Sequence, residues 1–569
     1  MTDFTDEQKR YLEGLGRGLA LARGAVAPMP SGPERIHFGA QDRVVAAGGK
    51  LTREEEAKRA KHPFDMWDEI AANAASAQFP KGTDVFLYKF HGLFYVAPAQ
   101  DSFMLRLRNP NGILDAAKLR VVASIAEEYG GGYAHVTTRA NLQVREIGPR
   151  HALCILERLA EAGLTSRGAG ADNIRNITGS PTAGIDPLEL YDTRPLGLAL
   201  YHAILNHREL YGLPRKFNIA FDGGGSVASL EDTNDIGFSA VRTGGKICFR
   251  VAVGGITGHG GFAGDLGVGI APEQCVPVAI AIVRVFIDEG DRTDRKKARL
   301  KYVLDRMGRE RFLAELEKRL PAPLTRLPME QCEARPALER GAHVGFHAQK
   351  QAGQLYCGVA LPVGRMTVDQ MRGLADIAER YGSGTLRLTV WQNIIVSDIA
   401  ADAQADMEGA LGAIGLSARV TMARAGIVAC TGNTGCKFAA SDTKKHALAI
   451  GEHLDRTLEL DVPVNVHITG CPNSCAQHYI GDIGLLGAKV GQAQVEGYHL
   501  YVGGGFAEQR ALGREVARDI PAAEIPAVVE RLLRAYMDGR VAPDESFHDF
   551  AKRQTPQTLL AAALATVPA

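Results

Sequence analysis

Four cysteines lie in the last third of the chain as two close pairs, C-T-G-N-T-G-C (Cys430 and Cys436) and C-P-N-S-C (Cys471 and Cys475). Four thiolates brought to one point hold a metal centre. If Pro472 opens a helix, Cys471 and Cys475 sit about one turn apart and face a single site. The glycines between Cys430 and Cys436 permit φ above zero and let backbone N–H groups turn toward sulfur. A structural zinc site is the alternative, but zinc pairs usually enclose two to four residues, and the gaps here are five and three. That spacing favours an iron–sulfur cluster.

The chain has nine cysteines, an odd count, and in a reducing compartment a disulfide framework is not expected. Cys154, Cys248, Cys275, Cys332 and Cys357 stand alone and read as small buried hydrophobes.

A second group of residues could handle an anion. In FMLRLRNPNG, strand alternation puts Phe103, Leu105 and Leu107 on one side and Arg106 and Arg108 on the other. In HVTTRANLQVR, read as a strand, Thr137, Arg139, Asn141, Gln143 and Arg145 form a polar row opposite Ala140, Leu142 and Val144. LPRKFNIAF sets Lys216 and Asn218 on one face, and ADNIRN adds Arg175. Rows of donors suit a polyanionic ligand; the plain alternative is that these are solvated strand faces.

The elements that must position these groups occur twice. A shift of 252 places MRGLADIAERYG, from Met371, under LRVVASIAEEYG, from Leu119, and RLTVWQNIIV under HVTTRANLQV, so that Asn393 meets Asn141. Further on the shift falls to about 249, where the apolar helix from Pro272 meets the one from Pro521, and NDIGF at Asn234 meets GDIGL at Gly481. A period of about 250 residues is far too long for a solenoid and implies a duplicated half, hence a pseudo-twofold α+β protein. The four cluster-type cysteines occur only in the second copy. Residues 320–338, with four prolines, read as an extended connector between the halves. The stretch from Gly24 to Gly49 is rich in Gly, Ala and Pro and reads as a wrapping or mobile arm.

With 65 basic residues balancing 65 acidic ones in 569, nothing global points to nucleic acid or to an anionic membrane. The charged N-terminus lacks the apolar core of a signal peptide, and apolar runs such as Val276 to Val283 are cut short by charge. The expectation is a cytoplasmic protein with no membrane span.

C-x5-C followed about 35 residues later by C-x3-C resembles the sirohaem-dependent nitrite and sulfite reductases, and the long repeat also fits that family. The resemblance implies a nitrite/sulfite reductase fold, with paired ferredoxin-like halves and two sirohaem- and cluster-binding α/β domains. On that reading residues 1–97 are an N-terminal arm and helical region, 98–166 the first ferredoxin-like half and 167–317 a sirohaem and substrate domain. Residues 318–344 are the connector, 345–416 the second half, 417–540 the cluster and sirohaem domain and 541–569 a tail.

Cys430, Cys436, Cys471 and Cys475 would hold a [4Fe-4S] cluster, with Cys475 also ligating the sirohaem iron. Arg106, Arg175, Lys216 and Asn218 would surround the substrate, the arginines clamping its oxygens and Lys216 supplying a proton. Arg139, Asn141, Gln143 and Asn473 would bind sirohaem. R-K-F-N at residues 215–218 resembles the nitrite members, whereas sulfite members resemble R-K-x-K.

The expected activity is six-electron reduction of nitrite to ammonia. A ferredoxin-dependent sulfite reductase is the alternative, and a tetrapyrrole-biosynthesis relative is disfavoured by the full duplicated length. No G-x-G-x-x-G turn lies between a strand and a helix, so an external donor is implied, ferredoxin by resemblance. A non-catalytic iron–sulfur carrier is the competing class, and the chain is expected to act as a monomer.

Overall fold

The computed structural model describes residue 32 and residues 34–565. The repeated helices span Ala116–Tyr129 and Val368–Tyr381. Each is started by a side chain that accepts from the third backbone amide of the helix, Asp115 from Lys118 and Thr367 from Gln370. Each buries the same stripe, Leu119, Val122, Ala123 and Ala126 in one and Met371, Leu374, Ala375 and Ala378 in the other. The two helices share one hydrophobic core.

The sequences HVTTRANLQV and RLTVWQNIIV are not single strands, as the alternation predicts, but matching hairpins. Tyr133–Val136 turns back into Leu142–Ile147, and Thr385–Leu388 into Ile394–Ala400. The turns close alike: the Thr137 amide donates to the Asn141 carbonyl (2.9 Å) and the Thr389 amide to Asn393 (2.9 Å). Each carries a left-handed residue, Ala140 (φ 45°) or Gln392 (φ 62°). Main-chain turn geometry overrode the period-two pattern here.

Each hairpin lies in a five-stranded sheet. The first runs Leu93–Tyr95, Phe103–Arg106, Leu142–Ile147, Tyr133–Val136 and Arg365–Thr367. The second runs Gly345–Ala348, Gln354–Val359, Ile394–Ala400, Thr385–Leu388 and Ile113–Asp115. The edge strands are exchanged: residues 365–367 of the second half complete the first sheet, and residues 113–115 of the first half complete the second.

Two larger mixed sheets follow the same plan. Thr178–Gly179, Ile219–Asp222 and Ile236–Thr243 run parallel before Lys246–Val253 and Gly264–Ile270 return antiparallel. Ile427–Ala429, Val466–Thr469 and Ile483–Val490 run parallel before Val495–Val502 and Arg514–Pro521 return. Each sheet is covered by its own apolar helix, Cys275–Glu289 or Ile525–Gly539, in a separate core. Between the halves, residues 320–338 hold only the short strand Thr325–Arg326 and one 3₁₀ turn.

The stretch read as a wrapping or mobile arm contains a docked helix, Arg35–Ala46; residues 24–31 and 33 of that stretch lie outside the described residues. A buried polar network holds the helix down. The Gln41 amide donates to Glu55 (2.9 Å), Glu55 pairs with Arg292 (2.6 Å), and the His37 ring meets the Glu209 carbonyl (2.7 Å). Glycine and alanine content signalled flexibility, but these few polar anchors decide the outcome.

Candidate active site

The four cysteines lie on two loops at the ends of the parallel strands Ile427–Ala429 and Val466–Thr469. The expected helix at Pro472 does not form. Residues 471–476 are successive turns, because Ser474 is left-handed (φ 51°) and breaks any helical run. Turns still bring the thiols together: Cys475 faces Cys430, Cys471 and Cys436 electrostatically. Gly432 takes the positive φ (75°) that the loop requires.

Donors already point at sulfur. The Gly470 amide lies 3.2 Å from the Cys430 Sγ, the Thr443 hydroxyl 3.5 Å from it, and the backbone and side chain of Asn473 bond to Cys471. Among the described residues no three His, Cys, Asp or Glu side chains converge as tightly as a single metal ion needs. The four cysteines act on one another electrostatically from two neighbouring loops, and their thiol chemistry suits a [4Fe-4S] cluster. Cys471 is buried. Cys475 keeps solvent-accessible surface but sits deep among protein atoms, and this burial, with the neighbouring cysteines, pushes its thiol up to about 11.

Cations from both sides converge on Cys475. Arg106 ends the strand Phe103–Arg106, with its guanidinium 4.5 Å over the Phe94 ring. The Gln143 amide oxygen, oriented by the two donors that face it, accepts from Arg106 Nε (3.0 Å) and Nη2 (3.1 Å). Arg175 is aimed by two carbonyls of its own loop, Ala169 (3.3 Å) and Ala171 (2.7 Å). Arg139 donates to Asn234 Oδ1 (2.7 Å). Thr138 ties this turn to the cluster loop through the Cys475 carbonyl (2.9 Å), and Gln477 does the same through Thr233 (2.9 Å).

Burial lowers Arg106 and Arg139 to about 10, so both stay charged at neutral pH. It lowers Lys216 to about 7, with the Arg299 charge next in effect. A buried cation set of this kind needs anionic ligands to offset its desolvation. The polycarboxylate rim of a sirohaem and an oxyanion substrate fit it, as the cysteines fit a cluster.

Some candidate residues do other work. Asn141 spends its amide inside the protein, donating to the Leu107 carbonyl and accepting from Asn109 (3.2 Å) and the Leu142 amide (2.9 Å); this fixes the hairpin rather than reaching outward. Arg108 is no solvated face: it is 2% exposed and donates to the Gly168 carbonyl (3.0 Å) and to that of Ile174. Asn218 is buried; its amide N–H meets Asp235 (2.8 Å), while its side-chain oxygen has no partner. Asn473 is exposed beside Cys471.

Sequence reasoning missed Arg299. It grips Asp235 through two bonds (3.2 and 2.7 Å) and is the strongest charge on Lys216. The repeated N-D-I-G and G-D-I-G motifs did flag the Asp235 position.

Comparisons with known proteins agree with this geometry. The family description "Nitrite and sulphite reductase 4Fe-4S domain" matches residues 170–324 and 423–549, and "Nitrite/Sulfite reductase ferredoxin-like half domain" matches 96–162 and 347–414. A ferredoxin–nitrite reductase from Synechococcus elongatus is 37% identical over 507 residues, spanning 86% of this chain and 97% of the relative. An assimilatory ferredoxin-dependent nitrite reductase from Haloferax mediterranei is 32% identical, spanning 83% and 86%. The solved structure of the Mycobacterium tuberculosis NirA protein superposes with a TM-score of 0.84 at 28% identity, covering 91% of this chain and 99% of that one. Two copies of each domain, with the cysteines in the second copy alone, place this chain in the nitrite and sulphite reductase family.

Proposed function

We propose that this chain reduces nitrite to ammonia in a six-electron reaction, taking its electrons from reduced ferredoxin. The observation that carries this reading is the convergence of Arg106, Arg139 and Lys216 on Cys475, with Arg175 beside these cations. The relatives named above, ferredoxin-dependent nitrite reductases over nearly their whole length, support the substrate and donor.

Cys430, Cys436, Cys471 and Cys475 would hold a [4Fe-4S] cluster, with Cys475 shared with the iron of a sirohaem, whose carboxylates Arg139, Gln143 and Asn473 would meet. Together these groups, when bound, would supply single electrons at low potential and bind a small anion.

The chain supplies the rest. Arg106 and Arg175, preoriented by Gln143 and by the 169 and 171 carbonyls, present forked N–H donors to the anion's oxygens. Lys216, poised near neutrality by burial beside Arg299, gives a proton to an oxygen that must leave as water. Nitrite is favoured over sulfite by Asn218, an uncharged amide next to Lys216 where a second lysine would favour a dianion.

Both halves contribute to one site, so a single copy is sufficient, and we read the chain as a monomer. Among the described residues no helix is long and apolar enough to cross a membrane, and we place the protein in the cytoplasm.

The test is the visible spectrum of purified protein, together with nitrite consumption driven by reduced ferredoxin and, separately, by NADPH. Reduced-porphyrin bands and ferredoxin-driven ammonia formation are expected. A protein without visible bands, or one that turns over on NADPH alone, would overturn the reading.

A further inference from the structure

Strand register carries the site's polar row beyond the cofactor residues. In the first sheet Arg106 pairs with Gln143, Gln143 with His135, and His135 with Arg365, so these four side chains lie on one face across four strands. Arg145, two residues from Gln143, shares that face. The cluster loop is pinned to it: Arg145 donates to the Gly435 carbonyl (3.1 Å) and the Thr431 hydroxyl (2.8 Å), both between Cys430 and Cys436. From the other side comes Lys444, in the first turn of the helix Thr443–Thr457, donating to the Val363 carbonyl.

The charges here are mostly positive: Glu146 acts on Arg145 and Asp442 on Lys444, but neither carboxylate forms an ion pair with them. Arg145 is 4% exposed, its bonds all go to neutral acceptors, and its Nε has no partner. Lys444 likewise has a carbonyl as its partner and is lowered to about 7 by burial first; Cys430 and Asp442 favour its charged form, while Arg145 and Arg365 oppose it. Arg365 lies 3.9 Å over the Tyr133 ring and forms no ion pair among the described residues. His135, buried with both ring nitrogens unpartnered, is held neutral by burial and by Lys444, Arg145 and Arg365 around it. Two buried cations without an ion-pair partner are unfavourable unless an anion faces them. The thiolates they face are Cys430 and Cys436.

We infer that Arg145, Lys444 and Arg365 form a cationic cage that raises the reduction potential of the cluster held by Cys430, Cys436, Cys471 and Cys475. The inference rests on the cluster reading above but not on the identity of the substrate. A cluster gains one negative charge on reduction. Nearby cations stabilise that state in a low-dielectric setting, and the added negative charge in turn favours the charged form of Lys444, so removing one drives the potential down.

The experiment is an EPR-monitored redox titration of holoenzyme, wild type against Lys444→Gln, Lys444→Arg and Arg365→Gln, with iron content measured in parallel. Lys444→Gln is expected to disfavour cluster reduction about tenfold, or about 59 mV for a one-electron couple. Arg365→Gln, on the exposed rim, should shift it the same way by less, and Lys444→Arg should restore most of the loss. If Lys444→Gln fails to load a cluster, the half-stacked and exposed Arg365→Gln decides. A loaded cluster whose potential stays at the wild-type value in the neutral variants overturns the cage. A protein that binds a cluster but does not reduce nitrite would defeat the proposed function and leave this measurement intact.

Discussion

The two five-stranded sheets share one plan, yet equivalent rows across them differ in kind. In the first the row reads Arg365, His135, Gln143, Arg106; in the second the matching register reads Ile113, Arg387, Ile395, Gly358. Only Arg387 remains polar, and its guanidinium is sealed by the Pro181 and Ala183 carbonyls (3.2 and 2.7 Å) and by the Ser397 hydroxyl (3.3 Å). Backbone pairing depends on main-chain groups that both copies share, so duplication could keep the sheets while exchanging every outward-facing group. Where the first half presents Arg106, the arginine proposed to clamp the anion, the second has Gly358, and its one arginine, Arg387, stands at the place of His135 and binds backbone.

The sharpest break in that comparison lies at the cysteines. Cys475→Ser should abolish nitrite reduction and disturb both the cluster signal and the visible bands, since on the proposed reading one thiolate would serve both centres. A fully active Cys475→Ser enzyme would remove the bridging role.

The two sheets can then be set directly against each other. Arg106→Ala should lower kcat/KM for nitrite about a hundredfold or more while leaving thermal stability near wild type. Arg387→Met should do the reverse. It leaves carbonyls unsatisfied and should cost about 1.5–3 kcal/mol in chemical denaturation, with activity per folded molecule retained. If Arg387→Met lost activity without losing stability, the two rows would not be specialised as described.

A smaller effect tests the cationic half through pH. Lys216 is lowered to about 7, by burial first and then by Arg299, so its charged form is present below that pH and is lost above it. kcat/KM for nitrite, measured with a dye donor, should fall as pH rises through about 7, by at most about tenfold per unit. Lys216→Arg stays charged and should lack this limb. A falling limb that survives in Lys216→Arg belongs to another group.

The smallest shift is expected at Asn218. Asn218→Lys should move the ratio of kcat/KM toward sulfite by roughly tenfold or less, through one added charge. An unmoved ratio would mean that its buried side-chain oxygen faces away from the anion.

Much of this was readable in the chain before folding. Leu119 under Met371 pointed to the helices, and residue type and short spacing marked the two cysteine pairs; Arg106, Arg175 and Lys216 were candidates through the resemblance those pairs carry, and the structure brings the three near one another. The helix expected at Pro472 failed because a single left-handed residue, Ser474, redirects the backbone, and nothing in C-P-N-S-C marks that φ. The cage was harder still. Arg145 stands in the polar row, but Arg365 reaches it only through the pairing of strands far apart in sequence, and Lys444 through the docking of its helix at Val363, neither of which a local period encodes.

The exchange of edge strands also sets a timetable for the growing chain. Tyr133–Val136 leaves the ribosome with one side unpaired, and its partner Arg365–Thr367 is not yet made. At about 5–20 residues per second that wait lasts on the order of ten seconds or more. During it the open strand presents free backbone donors and acceptors to any passing chain. Synthesis of this protein should therefore depend on chaperone cover until the second half arrives. Two separately expressed halves would each be born with a sheet that only the other can close.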